Sequence, residues 1–388
     1  MAFLDELGIG DKVRAFAPPV PLFINGVEDA RARIAVPPDK RGSCPRRTDL
    51  DALLVKESGA AGADVRLRTK LVELVRDGGR IVGAVVEHDG RRESIRCKWL
   101  VGADGRNSTV AELVNAEEYH GYDTPRAAYW AYWPRPASYG EDPRYSGAAA
   151  IVHSAKDYFF IFPTNKDQLL IGIGFPVERL PEWKGRHREE FFDRVRRYPL
   201  TAPLTEGEPL SQVIGILKMR FFFRQAAGPG WALVGDSGLS KDPAPGLGIT
   251  DAFRDAKALA SAICEGSDAA VTAYWRERDT HSIELFEFAR QLGDTAYNNP
   301  LNHLLFSKLA NDEGLRRRIV AVQNREISPF AAFSPGEVIG WCLGALLRGK
   351  FGVVAPFLAA GKHGGEVKKE LGLRRRLLDE ARAGVLAP

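Results

Sequence analysis

The feature that most constrains this chain runs from Trp231 to Ile263. A short apolar run, Trp231-Ala232-Leu233-Val234, delivers Gly235 and Asp236 into a loop that holds Pro243, Pro245, Gly246 and Gly248. Apolar residues then recur at Ile249, Ala252, Phe253, Ala256, Leu259, Ala260 and Ile263, the spacing of one face of an α-helix. Strand, side-chain-poor loop and helix in that order predict an α/β sheet with a ligand crevice at the strand's carboxyl end. The glycines let backbone N–H groups approach a flat ligand. A helix starting near Gly248 would also offer its unpaired N–H groups and positive dipole end to an anion. Asp236 is placed to accept hydrogen bonds from sugar-like hydroxyls, although a strand-end Asp before a helix also serves as plain structure.

Around this segment the pattern alternates. Phe3 to Leu7 reads as a short helix before the Pro-rich stretch Ala17 to Pro21, and Leu22 to Asn25 and Arg31 to Val36 read as strands about a Gly26 turn. Asp49 to Ala61 predicts an amphipathic helix closed by Gly62, and Val65 to Leu67 a short buried strand after it. Leu71 to Val75 and Ile81 to Glu87 flank Asp77-Gly78-Gly79-Arg80, a hairpin turn by composition. Lys98 to Gly105 predicts a buried strand ending in a Gly-rich turn, with a helix over Asn107 to Val114. Between Tyr129 and Phe175 the runs Tyr158 to Phe162 and Leu169 to Ile173 surround Asn165-Lys166-Asp167, which is antiparallel-sheet chemistry. Alternation sets Trp130 and Tyr132 on one sheet face and Tyr129 and Trp133 on the other, so only one pair can see a ligand. Helix returns at Arg188 to Tyr198, and beyond Gly266 the chain reads as mostly helical.

Several function classes fall away. The formal charge is +4 over 388 residues, too mild for a polyanionic partner, so no nucleic acid is expected. The arginine runs at Arg194 with Arg196 and Arg197, Arg316 to Arg318 and Arg374 to Arg376 read as solvated helix faces. Cys44, Cys97, Cys264 and Cys342 form no CxxC or Cys/His cluster and none of the 7 histidines pairs at HExxH spacing, so neither a disulfide framework nor a metal is expected. Asp5 and Glu6 stand where a signal peptide needs a basic, then apolar stretch. The longest apolar run, Phe351 to Ala360, falls below the ~20 residues that span a bilayer. A cytoplasmic protein without a transmembrane segment is the expectation. Gly344 to Lys350 nearly spells a P-loop, but Phe351 replaces its Ser/Thr. Leu239 denies Ser237 the glycine that a nucleophile elbow requires.

Three motifs carry a resemblance. Gly235-Asp236-Ser237 through Asp242-Pro243 and Gly246-Leu247-Gly248-Ile249-Thr250-Asp251-Ala252 resembles the second FAD-contacting motif of the class A flavoprotein monooxygenases, which share the fold of para-hydroxybenzoate hydroxylase with flavin halogenases and geranylgeranyl reductases. Val101-Gly102-Ala103-Asp104-Gly105-Arg106 is similar to that family's Asp-Gly motif, and Arg47, three before Leu50, matches its FAD-contacting Arg or Gln. The resemblance implies that Asp236 binds the ribityl chain and that Leu247 to Ile249 give N–H groups to the flavin's pyrimidine edge. It also implies that Arg47, Asp104 and Gly105 lie by the pyrophosphate, with Gly235, Pro243, Gly246 and Gly248 shaping the loop. Guanidinium beside pyrophosphate is a sound pairing.

The family's first motif, a GxGxxG on an N-terminal βαβ unit, is not in the sequence: Gly8-Ile9-Gly10 has no preceding strand and no third glycine. Met1 is therefore expected to be an internal start. The implied fold is α/β, a Rossmann-like FAD-binding domain lacking its first unit (1–16, 44–115 and 224–266). It is interleaved with an antiparallel-sheet substrate domain (17–43 and 116–223) and followed by a helical C-terminal region (267–388). The implied function is that of a FAD-dependent oxidoreductase, a monooxygenase using NADPH or NADH that hydroxylates an apolar, aromatic or polyketide-like small molecule through a flavin hydroperoxide. No catalytic side chain is assigned, because the cofactor carries the hard chemistry. Trp130, Tyr132 and Phe222 are candidate walls of the substrate pocket. A flavin-dependent reductase, a halogenase or a non-catalytic remnant on the same scaffold are the alternatives. Trp130-Ala131-Tyr132-Trp133-Pro134 differs from the halogenase signature of paired tryptophans before Ile-Pro.

Overall fold

The computed structural model describes residues 1–384 and divides the chain into two compact units. The first gathers Met1–Leu53, Thr124–Met219 and Gln291–Gly364; the second gathers Leu54–Asp123, Arg220–Arg290 and the chain from Gly365 on. The stretch from 267 onward, read in the sequence as one helical region, therefore divides between them.

The first unit is built on a seven-stranded sheet in the spatial order Ile214–Ile216, Arg126–Pro134, Gln168–Pro176, Asp157–Thr164, Ala149–Ser154, Leu22–Val27, Ala30–Ala35. All neighbours run antiparallel except Leu22–Val27 beside Ala149–Ser154. Period-two alternation sorts the side chains. Tyr129, Trp133, Phe159, Ile161, Ile171 and Ile173 form one buried core with Trp183 and with Phe191 and Val195 of the helix His187–Arg197. Asp157 accepts from Arg179 (2.9 Å) and Arg194 (3.2 Å), which ties that helix to the start of the sheet's central strand. On the opposite face, helices Pro300–Asn311 and Glu313–Gln323 bury Leu309, Leu315 and Val320 against Ala32 and Ile34. Their starts are set by side-chain caps: Asn299 accepts from the N–H groups of Leu301 and Asn302, and Asp312 from that of Leu315.

The second unit holds three small sheets. Leu100–Gly102 runs parallel to Trp231–Leu233, which pairs with Ala227–Gly228. Lys70–Asp77, Arg80–His88 and Arg91–Arg96 form an antiparallel meander, and Glu118–Asp123, Arg220–Arg224 and Leu239–Ser240 the third sheet. Gly78 and Gly79 both have positive φ, 52° and 83°, as a tight two-residue hairpin turn demands. Val110, Trp231, Leu233, Leu259, Tyr274 and Trp275 make the core of this unit.

Two sequence expectations need correction here. Val65 to Leu67 is not a buried strand: no strand forms and Leu67 is 66% exposed. Only Val65 and Leu67 of the run are apolar, no strand lies beside them, and Arg66 between them donates to Asp64 (2.8 Å) instead. Arg374 is not on a solvated face. It is buried, and pairs with Asp279 (3.2 Å) and Glu370 (2.6 Å). Asp279, fully buried, also accepts from Arg278 (2.6 Å) and from the Tyr119 hydroxyl, which in turn accepts from Trp275 Nε1 (2.6 Å). A buried carboxylate must be paired in this way, since an uncompensated one costs several kcal/mol.

Two predictions follow from the first unit's core. Phe191→Ala should lower the unfolding free energy by about 3–5 kcal/mol in urea titration. His153 lies buried between Tyr158 and Tyr297, and burial, then the nearby Arg126 charge, push its pKa from 6.5 down to about 3. Between those pH values the unfolded chain binds a proton there and the folded one does not, so stability falls as pH falls. His153→Phe should be less sensitive to acid than the parent over pH 6.5 to 3 in paired denaturation curves.

Candidate functional site

The parallel pair in the second unit delivers two loops at its carboxyl end. Val234 N–H donates to the Gly102 carbonyl (3.0 Å) and so does the buried Ser237 hydroxyl (2.6 Å), which fixes the two strand ends side by side. Gly235 turns the chain with φ 62°, and a Cβ there would meet the Cβ of Ala252 at 3.4 Å, so the loop lies close on the following helix. Asp236 sits exposed at this corner.

The loop then closes on itself. Asp242 accepts from the Ala244 N–H (2.9 Å), and Gly246, at φ 70°, donates to the Pro243 carbonyl (2.8 Å). The helix Gly248–Glu265 begins after Leu247, which supplies no side-chain cap; the first bond back is Asp251 N–H to the Leu247 carbonyl (3.0 Å). Among the described residues, no acceptor takes the N–H groups of Gly248, Ile249 or Thr250. Gly246, Gly248, Ile249 and Thr250 are all exposed, and a Cβ on either glycine would meet nothing within 4 Å. The turn is therefore an open shelf of donors at the positive end of a long helix, suited to a flat ligand with an electron-rich edge.

What holds the shelf is ionic. The side chain of Lys241, only 5% exposed, reaches Asp251 (2.7 Å), and Arg254 bridges Asp251 (2.9 Å), Asp255 (2.8 Å) and the Ser282 hydroxyl (3.2 Å). No local signal points to Lys241. A lysine in a polar loop ordinarily points to water, and nothing local marks this one as folded back onto a helix. Ser237 was equally silent, because its role depends on a strand more than a hundred residues away.

The other candidates fall as follows. Asp104 spends its carboxylate on structure, accepting from Ser108 Oγ (2.6 Å) and the Val110 N–H (3.1 Å), while Ser108 caps the short helix Thr109–Leu113. Gly105 follows with φ 80°, which lets the loop turn away from the strand. Arg47, the first residue of the helix Arg47–Ala60 and 69% exposed, pairs with Asp51 (3.0 Å). Trp130 and Tyr132 share the half-buried sheet face, opposite the core-bound Tyr129 and Trp133. Phe222 is only 2% exposed, with the Arg224 guanidinium 4.3 Å over its ring, so it offers a ligand no surface. Its strand carries three consecutive buried phenylalanines, so alternation there does not leave an open face. No helix among the described residues is long and apolar enough to cross a membrane.

Lys241→Met should loosen the shelf. Removing one partner of a buried pair costs about 3 kcal/mol, the low end of the usual range because Arg254 still holds Asp251. Hydrogen–deuterium exchange should accelerate at the peptides covering 241–251 and change little in the sheet of the first unit.

Comparison with known proteins gives a concordant picture. The model of a family described as "FAD binding domain" matches residues 1–289. Menaquinone reductase of Mycolicibacterium smegmatis is 27% identical over 253 residues, covering 63% of this chain and 60% of that protein. A digeranylgeranylglycerophospholipid reductase of Thermoplasma acidophilum is 24% identical over 208 residues, 53% of this chain and 51% of that protein. The chain thus spans between half and three fifths of these curated relatives. Among solved structures, the flavin-dependent brominase Bmp2 superposes with a TM-score of 0.70 at 17% identity, covering 90% of this chain and 87% of that one. The p-nitrophenol 4-monooxygenase PnpA of Pseudomonas putida gives 0.65 at 19%, covering 84% and 86%. At such identities these likenesses establish the α/β fold.

Proposed function

Since the chain belongs to the FAD binding domain family, we propose that it is a FAD-dependent oxidoreductase acting on an apolar or aromatic small molecule, with NADH or NADPH as the source of electrons. The observation that carries this reading is the open shelf at 246–250. Its three unclaimed N–H groups and two glycines without a neighbour within 4 Å fit the planar, electron-rich pyrimidine edge of a flavin. FAD, when bound, supplies the electron transfer.

The chain's own residues bind and orient. Asp236 would take the ribityl hydroxyls, and the N–H groups at Leu247 to Ile249, those of Gly248 and Ile249 unclaimed, would face the electron-rich edge of the flavin as preorganised dipoles. Gly235, Pro243, Gly246 and Gly248 keep side chains out of the ring's way. Arg47 and the Asp104–Gly105 turn serve the pyrophosphate; Asp104 does so through the loop it braces. Trp130 and Tyr132 line the substrate face, an apolar surface that keeps water from the reacting atoms.

Oxygenation of the substrate is the first reading, supported by the motif resemblance at Asp236 and Asp104. Reduction of a carbon–carbon double bond in an apolar chain is the second. It is favoured by the reductases named among the sequence relatives. The two differ in atom balance: oxygenation consumes O2 and leaves one of its atoms in the product, whereas reduction adds a hydride and a proton. Mass spectrometry of the product formed under 18O2 separates them.

The cofactor assignment is tested by titrating the protein with FAD and following the quenching of flavin fluorescence. Asp236→Ala should weaken FAD at least tenfold, about 1.4 kcal/mol. Unchanged affinity in that variant, or no FAD uptake by the parent protein, would overturn the assignment.

A further inference from the structure

The half-buried face of the seven-stranded sheet has an order that its burial pattern alone does not explain. Register places Tyr158 opposite Gly174, Phe160 opposite Gly172 and Phe162 opposite Leu170; the next strand brings Trp130 beside Gly172 and Tyr132 beside Leu170. A Cβ at Gly172 would overlap the Phe160 ring, and one at Gly174 the Tyr158 ring. The two glycines therefore let those rings lie down across the neighbouring strand instead of standing off it. Tyr158, Phe160 and Phe162 follow one another at 5.7 and 5.8 Å between ring centres. The result is an aromatic floor in which Phe160 is buried and Tyr158, Phe162, Trp130 and Tyr132 are half-buried.

Both ends of that floor carry a charge: over Tyr158 lies the Arg126 guanidinium (4.9 Å), whose donors go to the carbonyls of Gly293, Lys156 and Asp294, and over Tyr132 lies that of Arg46. The guanidinium of Arg46 lies 4.5 Å over the Tyr132 ring and donates through Nη1 to the neutral amide of Gln168 (3.1 Å). No carboxylate among the described residues pairs with it. The nearby Asp49 is taken by Lys166 (2.8 Å) and by Asn165 (2.8 Å), whose carbonyl also accepts the Arg46 backbone N–H (2.8 Å) and fixes where the side chain starts. Arg135 is likewise committed to Asp167. A single uncommitted guanidinium, with most of its five donors unspent, stands at the edge of an apolar surface.

We propose that Arg46 is a specificity-determining residue, and that the molecule lying on this floor carries one carboxylate at the end that meets Tyr132. A guanidinium presents paired donors to a carboxylate, and on an apolar surface its one positive charge neutralises a monoanion but would leave a phosphate dianion half-compensated. The ring beneath holds the cation in place and keeps it partly dry, which strengthens the pairing. The inference rests on reading the Trp130–Tyr132 face as the substrate face and adds to it the chemical class of the substrate: a flat or extended apolar acid.

The test compares 2-naphthoate with its neutral counterpart 2-naphthalenemethanol, binding being read by calorimetry and by quenching of tryptophan emission. The parent protein should bind the acid at least tenfold more tightly than the alcohol. Arg46→Ala should erase that preference by weakening the acid alone, and Arg46→Lys, which keeps the charge, should restore part of it. FAD affinity, measured in parallel, should be the same in all three proteins. If both probes bind equally to parent and variants, the Arg46 assignment fails while the substrate face stands. If neither probe binds the parent, the substrate face fails and takes the proposal with it. If Arg46→Ala instead loses FAD and keeps its preference for the acid, Arg46 belongs to the nucleotide and the proposal is wrong.

Discussion

Three backbone N–H groups at the start of the helix Gly248–Glu265 have no acceptor among the described residues, and the design of the second unit follows from keeping them so. A helix start is ordinarily closed by a Ser, Thr, Asp or Asn side chain. Here Leu247 occupies the cap position and its side chain cannot accept, while Lys241 and Arg254 secure the loop from behind through Asp251. The ionic cluster does the fastening, which leaves the front of the turn bare. A capped helix would be more stable by about 1 kcal/mol, but its donors would already be used.

The first unit solves a related problem with a sheet. One face is committed to the core through Tyr129, Trp133, Phe159 and Ile171, and that commitment fixes the register of the strands. The opposite face is free to be shaped for a ligand only because its partner face cannot slip. Gly172 and Gly174, which would weaken a strand in isolation, are tolerated where both neighbouring strands hold them by hydrogen bonds.

Much of this was legible in the sequence where the signal was local. The helix after Gly248 showed its period, the Asp77-Gly78-Gly79-Arg80 turn its composition, and the strand at Arg126–Pro134 its two-sided alternation. What escaped depended on distance. Arg374 sits in a run of three arginines and reads as surface, yet it is buried because Asp279, far back in the chain, needs a partner. Phe222 reads as a possible pocket wall, yet its strand is covered on both sides. Val65 to Leu67 has the residues of a strand but no neighbour to pair with. The shelf itself could be located from its glycines and prolines, whereas the lysine that steadies it could not.

The Asp279 cluster has a consequence for how the protein is made. Its carboxylate is buried with Arg278 from the same helix and with Arg374 from the helix Val354–Arg382, nearly a hundred positions later. On the ribosome, the first of these partners emerges well before the second. Until Val354–Arg382 has been made, that acid lacks its Arg374 partner and is held by Arg278 and Tyr119 alone. Because each unit draws on three separated stretches of chain, neither can close until its third stretch has been made, and its apolar surfaces stay open until then.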